Sequence, residues 1–168
     1  GSEMCIRDSS KEEFNLLDID NCLKKIEKVK PNYVINAAAY TAVDKAETES
    51  ELVEIVNAKN PYKIACSLEN LGGKFIQIST DFVFNGLKSS PYQTNDELLP
   101  LNEYGKSKAL CEKLLVELSN TKIIRTSWLY SPFGKNFCLT MLRLHKTCLD
   151  KEVPLRVVSD QISCPTSS

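Results

Sequence analysis

The sequence is poor in residues that bind metals or staple small domains. Its 168 residues include one histidine, His145, and seven cysteines, at positions 5, 22, 66, 111, 138, 148 and 164. The cysteine count is odd and no two form a C-x-x-C pair, which argues against a disulfide framework and against a zinc site. Reduced, mostly buried thiols of a cytoplasmic protein are the expectation, with no metal. Charge of one sign is also lacking. Lysine plus arginine (21) nearly balances aspartate plus glutamate (22), for a net charge of −1. Charge therefore gives no reason to expect nucleic acid or an anionic membrane as partner. No apolar run approaches the ~20 residues of a membrane helix.

A glycine-rich phosphate loop is missing as well. The six glycines lie at 1, 72, 73, 86, 105 and 134, and none form the G-x-G-x-x-G cluster that lets a backbone touch a pyrophosphate. Either the chain does not bind a dinucleotide, or the first strand–turn–helix unit of such a fold is absent from it.

What is present reads as one soluble domain. Hydrophobic residues make up 42% and charged residues 26%, ordinary values for a globular chain that can bury a core. Residues 1–9 read as a leader foreign to the fold: Gly1-Ser2 resembles a cloning scar, and the rest shows neither strand alternation, a helical stripe nor a signal-peptide core. From residue 10 to 168 the pattern is α/β. Four apolar runs rich in β-branched residues, at 33–38, 74–80, 122–127 and 155–158, predict buried strands. Segments 22–29, 51–71, 103–118 and 136–149 carry apolar residues at helical spacing. Pro61 is expected to start a new helical piece inside the second of these, because proline does not fit a helix interior. Gly72-Gly73 is a helix stop. The stretch 85–101 reads as a long loop, which in a compact domain often binds something. Strands alternating with helices predict a Rossmann-like, doubly wound parallel sheet. The missing glycine loop makes that sheet incomplete, with its first strands absent.

Tyr104 and Lys108 stand four residues apart at the start of a predicted helix, so phenol and ammonium share one face. A tyrosine with a pKa of ~10 is a poor acid at neutral pH. A neighbouring cation lowers that value and makes proton transfer to a carbonyl oxygen feasible. The spacing alone is common on helix surfaces. Its context is Ser79-Thr80-Asp81, at the end of a predicted buried strand, where α/β sheets hold ligands. The Thr80 hydroxyl could hold a substrate oxygen beside Tyr104; the same triplet would also serve to cap a turn.

With these residues goes a set of longer motifs: Leu17-Asp-Ile-Asp20, Val34-Ile-Asn-Ala-Ala-Ala-Tyr-Thr-Ala-Val-Asp-Lys-Ala-Glu47, Val56-Asn-Ala58, Ile78-Ser-Thr-Asp-Phe-Val-Phe-Asn-Gly86, Pro100-Leu-Asn-Glu-Tyr-Gly-Lys-Ser-Lys108, Arg125-Thr-Ser-Trp-Leu-Tyr130, Gly134-Lys-Asn-Phe137 and Asp160-Gln161 with Pro165-Thr166. In these the chain resembles the dTDP-4-dehydrorhamnose reductase family of extended short-chain dehydrogenases/reductases, over about residues 14–166. The resemblance implies Thr80, Tyr104 and Lys108 as the catalytic set. It implies NADPH or NADH as cofactor, with Asp18 and Ile19 at the adenine, Ala38, Ala39 and Tyr40 along the nicotinamide side, and Tyr104 and Lys108 also in contact. Thr80, Asp81 and Trp128 would touch a dTDP-sugar substrate. The implied reaction reduces a 4-keto sugar in dTDP-rhamnose biosynthesis: hydride goes from the nicotinamide to C4, Tyr104 donates a proton, Lys108 holds the cofactor ribose and lowers the Tyr104 pKa, and Thr80 orients the carbonyl. A homodimer is compatible with it.

The departures carry expectations of their own. The phosphate loop and the smaller sugar-nucleotide domain have no counterpart here, so the chain is expected to be cut short at both ends and, alone, to be inactive and to bind cofactor weakly. Ser163 replaces the glycine usual in the family. Asp81 is followed by Phe82, so the second carboxylate of the sugar-nucleotide dehydratases is lacking. An epimerase, which uses the same Tyr–Lys pair, is an alternative. So is a non-catalytic regulatory subunit resembling that of methionine adenosyltransferase.

Overall fold

The computed structural model describes residues 8–134 and 136–168; the predicted leader lies outside them except for its last two residues, which carry no regular structure. The chain divides into two compact units, one ending at Ile124 and one beginning at Arg125.

In the first unit, helix α1 (Ile19–Val29) begins where the Asp18 carboxylate accepts the Asn21 N–H, and it ends on Lys30 in the left-handed conformation. Its Cys22 and Ile26, one turn apart, are buried. Strand β1 (Tyr33–Asn36) is shorter than predicted. The Asn36 carboxamide turns forward to take the Ala38 N–H at 3.2 Å and bends the chain out of the ladder. A short helix α2 (Val43–Ala46) follows, then a helical stretch in three parts: α3 (Ser50–Glu54), a π turn (Ile55–Lys59) and α4 (Asn60–Asn70). Pro61 sits in the first turn of α4, as the sequence predicts, directly after the π turn. The Gly73 N–H closes the end of α4 on the Leu68 carbonyl at 2.8 Å, with Gly72 at φ +73°.

Strand β2 (Lys74–Thr80) has the predicted bounds. It runs parallel to β1 in a three-stranded sheet of order β1-β2-β3, where β3 is Thr121–Thr126. Phe75 of β2 packs with Leu68, Ile64, Cys111, Leu115 and Ile26 in the main core. Each such side chain contributes about 1.5–3 kcal/mol when fully buried. Register places Asn36 opposite Gln77, and their buried amides hydrogen-bond at 2.8 Å. Helix α5 (Glu103–Leu115) starts where Asn102 caps the Gly105 N–H and the Glu47 carboxylate takes the Glu103 N–H at 2.9 Å. The long loop before it is pinned from within, by Phe84 stacked on Tyr92 at 4.1 Å and by a Lys88–Asp96 ion pair.

In the second unit, strand β4 (Leu129–Tyr130) pairs in parallel with β5 (Thr166–Ser167), and α6 (Phe137–Asp150) begins at an Asn136 cap. The predicted strand at 155–158 does not form. Its residues are irregular, with Val157 and Val158 exposed, and the edge that β4 offers is taken by β5. An apolar run makes a strand only where a ladder partner meets it. No helix of the described residues is long and apolar enough to cross a membrane.

Candidate active site

The carboxyl end of β2 and the first three turns of α5 meet in successive contacts. The Ile78 carbonyl accepts from the Lys108 ammonium at 2.6 Å, and the Ser79 hydroxyl donates to the Glu112 carboxylate at 2.5 Å. Thr80 lies close enough to Tyr104 for its hydroxyl to act on the phenol's pKa. Residues 104, 108 and 112 lie four apart, so one helical face meets three consecutive strand residues. The close approach depends on Gly105. A Cβ there would stand 2.3 Å from the Phe82 carbonyl oxygen. The Phe82 ring meets Tyr104 edge-on, with centroids 5.7 Å apart.

Tyr104 is half-buried, and burial pushes its phenol above the ordinary value; the neighbouring Thr80 hydroxyl works in the opposite direction and the nearby Asp81 carboxylate adds to the rise. The buried Lys108 ammonium is turned to the Ile78 carbonyl. Burial pulls the Lys108 pKa down, opposed by Cys111 and Glu112. Thr80 is itself buried and orients the turn that follows, its Oγ1 taking the Phe82 N–H and donating to Asp81 Oδ1, both at 3.2 Å.

The loop after β1 reaches this helix through two buried relays. In one, Asn36 holds the Ala38 N–H and the Gln77 amide, and Gln77 donates to the same Ile78 carbonyl that seats Lys108, at 2.7 Å. In the other, Asn57 accepts the Tyr40 N–H at 2.7 Å, donates back to the Tyr40 carbonyl at 3.1 Å, and donates to Ser107 Oγ at 3.0 Å. Ser107 in turn donates to the Tyr104 carbonyl at 2.7 Å. The π turn carries Asn57; such turns recur at functional sites. So Ala38 and Tyr40 are tied by their backbones to the strand and helix that carry Lys108 and Tyr104, with Ala39 between them. The Tyr40 phenol itself donates to Glu49 at 2.5 Å.

The other expected contact residues make contacts of their own. Asp18 caps α1, and Ile19 packs on the main core. Trp128 belongs to the second unit, where it adopts a positive φ of 44° and packs on Phe137, ring centroids 5.5 Å apart. These two rings, with Leu129, Val158 and Gln161, line a cleft of about 230 Å³. Sequence reasoning passed over Asn57, Ser107 and Glu112. The available signal was a buried-type position held by a polar residue: Asn57 between Val56 and Ala58, and Glu112 eight residues beyond Tyr104 on its face. Among the described residues no three His, Cys, Asp or Glu side chains converge as a metal set would.

The RmlD substrate binding domain family matches residues 2–168. A dTDP-4-dehydrorhamnose reductase of Aggregatibacter actinomycetemcomitans is 44% identical over 160 residues, 93% of this chain and 53% of that protein. The crystal structure of a dTDP-4-dehydrorhamnose reductase from Bacillus anthracis in complex with NADP is 36% identical, with a TM-score of 0.87 over 95% of this chain and 56% of that one. A reductase of the same description from Clostridium acetobutylicum gives 38% identity and a TM-score of 0.88, over 95% and 55%. The chain spans about half the length of the curated relatives it matches.

Proposed function

The chain belongs to the RmlD substrate binding domain family, and on that premise we propose that the protein containing it reduces the 4-keto group of dTDP-4-dehydrorhamnose to give dTDP-rhamnose, with NADPH or NADH as reductant. The observation that carries the reading is the meeting of Thr80, Tyr104 and Lys108 at the end of β2 and the start of α5. The names of the relatives and the NADP in the Bacillus anthracis reductase support it.

The residues present fit a nicotinamide cofactor. Lysine has three N–H donors, and Lys108 uses one of them, on Ile78, which leaves two for a pair of ribose hydroxyls. The Ala38–Tyr40 backbone, held by Asn36 and Asn57, would lie along the nicotinamide side, and Asp18 and Ile19 would face the adenine. When bound, the reduced nicotinamide supplies the hydride.

Thr80 and Tyr104 would hold the substrate carbonyl oxygen between their hydroxyls. As negative charge grows on that oxygen, Tyr104 gives it a proton. Burial keeps the phenol protonated at neutral pH. An alkoxide is a far stronger base than a phenolate, so the transfer runs downhill even from a weakened acid. With its hydroxyl proton turned from Asp81 to the substrate oxygen, Thr80 would stabilise the developing charge. Asp81 and Trp128 would contact the sugar. Phe82 packs on Tyr104 in the place after Asp81 where elimination of water would require a second carboxylate, which favours reduction over dehydration.

The test is the full-length protein with dTDP-4-dehydrorhamnose and NADPH. One cofactor oxidised per sugar reduced supports the reading. Interconversion of sugars without net cofactor consumption would point to an epimerase and overturn it. Activation of methionine adenosyltransferase with no reduction would overturn it in favour of a regulatory subunit.

A further inference from the structure

Lys108 is only 3% exposed, yet the function proposed above needs its charge. A buried ammonium that meets only a carbonyl dipole has lost most of its hydration without gaining a counter-ion. One turn further along α5 stands Glu112, also 3% exposed, and Ser79, the strand residue next to Ile78, donates to its Oε1 at 2.5 Å. Among the described residues two groups oppose the effect of burial on Lys108, Cys111 and Glu112, both on α5. Cys111 could do so only as a thiolate, and burial pushes that thiol up to about 12. Of the two, Glu112 is the carboxylate, one helical turn beyond Lys108 and held by Ser79. From the neighbouring elements the helix meets the Ile78 carbonyl and Ser79 of β2, Asn57 of the π turn, which bonds Ser107, and the Glu47 carboxylate, which takes the Glu103 N–H at the start of the helix. The Asp81 charge acts on Tyr104.

We propose that Ser79 and Glu112 form a positioning pair for Lys108, in which the Ser79 hydroxyl fixes the Glu112 carboxylate at the strand end and the carboxylate supplies the buried countercharge that keeps the ammonium charged and seated on Ile78. The pair explains why three consecutive β2 residues each engage α5. Two rungs hold the reacting side chains, and the third holds the group that keeps one of them ionised. The proposal rests on the functional reading for its purpose, but its test does not need activity.

The experiment follows protonation of Lys108 by the NMR resonance of its labelled ε-carbon in the full-length protein, assigned by its loss in Lys108→Met. In Glu112→Gln the Lys108 titration midpoint is expected to fall by about one pH unit, the order of shift a nearby opposite charge produces. Ser79→Ala keeps the charge but frees it to move, and is expected to shift the midpoint the same way by less. It also carries the test if Glu112→Gln does not fold. A midpoint unchanged or raised in the folded variants would overturn the proposal, even with reduction intact. Failure of the functional reading is separately visible, as reduction that survives Tyr104→Phe.

Discussion

Asn57 donates to the hydroxyl of Ser107 at 3.0 Å across fifty residues of sequence, and through it the loop after β1 is tied to the helix that carries Tyr104 and Lys108. Asn57 also closes both backbone groups of Tyr40, so one carboxamide fixes two sides of the candidate site. The π turn makes this reach available, because its extra residue swings a side chain off the regular helical face.

Replacing Asn57 with Ala should therefore destabilise the full-length protein by about 1–3 kcal/mol, the usual effect of leaving a buried polar group without its partner. Urea denaturation reads the loss. Affinity for NADPH should fall in the same variant, since the Ala38–Tyr40 loop loses one of its two anchors. An unchanged midpoint of unfolding would mean that water replaces the amide freely.

Gly105→Ala tests the contact between α5 and the turn after β2. The added methyl would collide with the Phe82 carbonyl oxygen, a backbone atom that cannot swing aside. Overpacking of this kind costs about 1–3 kcal/mol. The turn also carries Thr80 and Asp81, so reductase activity should fall further than stability alone explains. Comparing thermal unfolding with activity well below the melting temperature separates the two effects.

Much of this site was legible in the sequence and some was not. Strand β2 and the start of α5 were readable from an apolar run rich in β-branched residues and from the helical spacing that includes Tyr104 and Lys108. Pro61 correctly marked a new helical start. The π turn was not readable, because one inserted residue leaves no mark in composition. Glu112 reads as an ordinary charged residue on an amphipathic helix until Ser79 is known to face it. Residues 155–158 have the composition of a strand, but pairing is a property of the neighbour and not of the run itself. The direction in which Lys108 points was equally hidden, since an i, i+4 spacing sets a face and not a partner.

Thiol chemistry distinguishes buried from exposed cysteines. Burial raises the Cys22 thiol and pushes Cys111 up to about 12, whereas Cys138 and Cys164 are exposed. The thiolate is the reacting form, so the buried Cys111 is almost wholly in its unreactive thiol form at pH ~8. Iodoacetamide under native conditions should label Cys138 and Cys164 and spare Cys22 and Cys111, as peptide mass spectrometry would show. Rapid labelling of Cys111 would contradict the packing of α5 on β2.

The central claim is that Tyr104 is the proton donor in a reduction carried out where Thr80, Tyr104 and Lys108 meet. Its most direct test is Tyr104→Phe in the full-length protein, which keeps the ring against Phe82 and removes only the hydroxyl. General acid catalysis contributes about 10²–10⁴-fold. The expected result is reduction of dTDP-4-dehydrorhamnose at least about a hundredfold slower, with NADPH affinity close to that of the unaltered protein. A Phe variant that retains more than about a tenth of the activity would contradict the account.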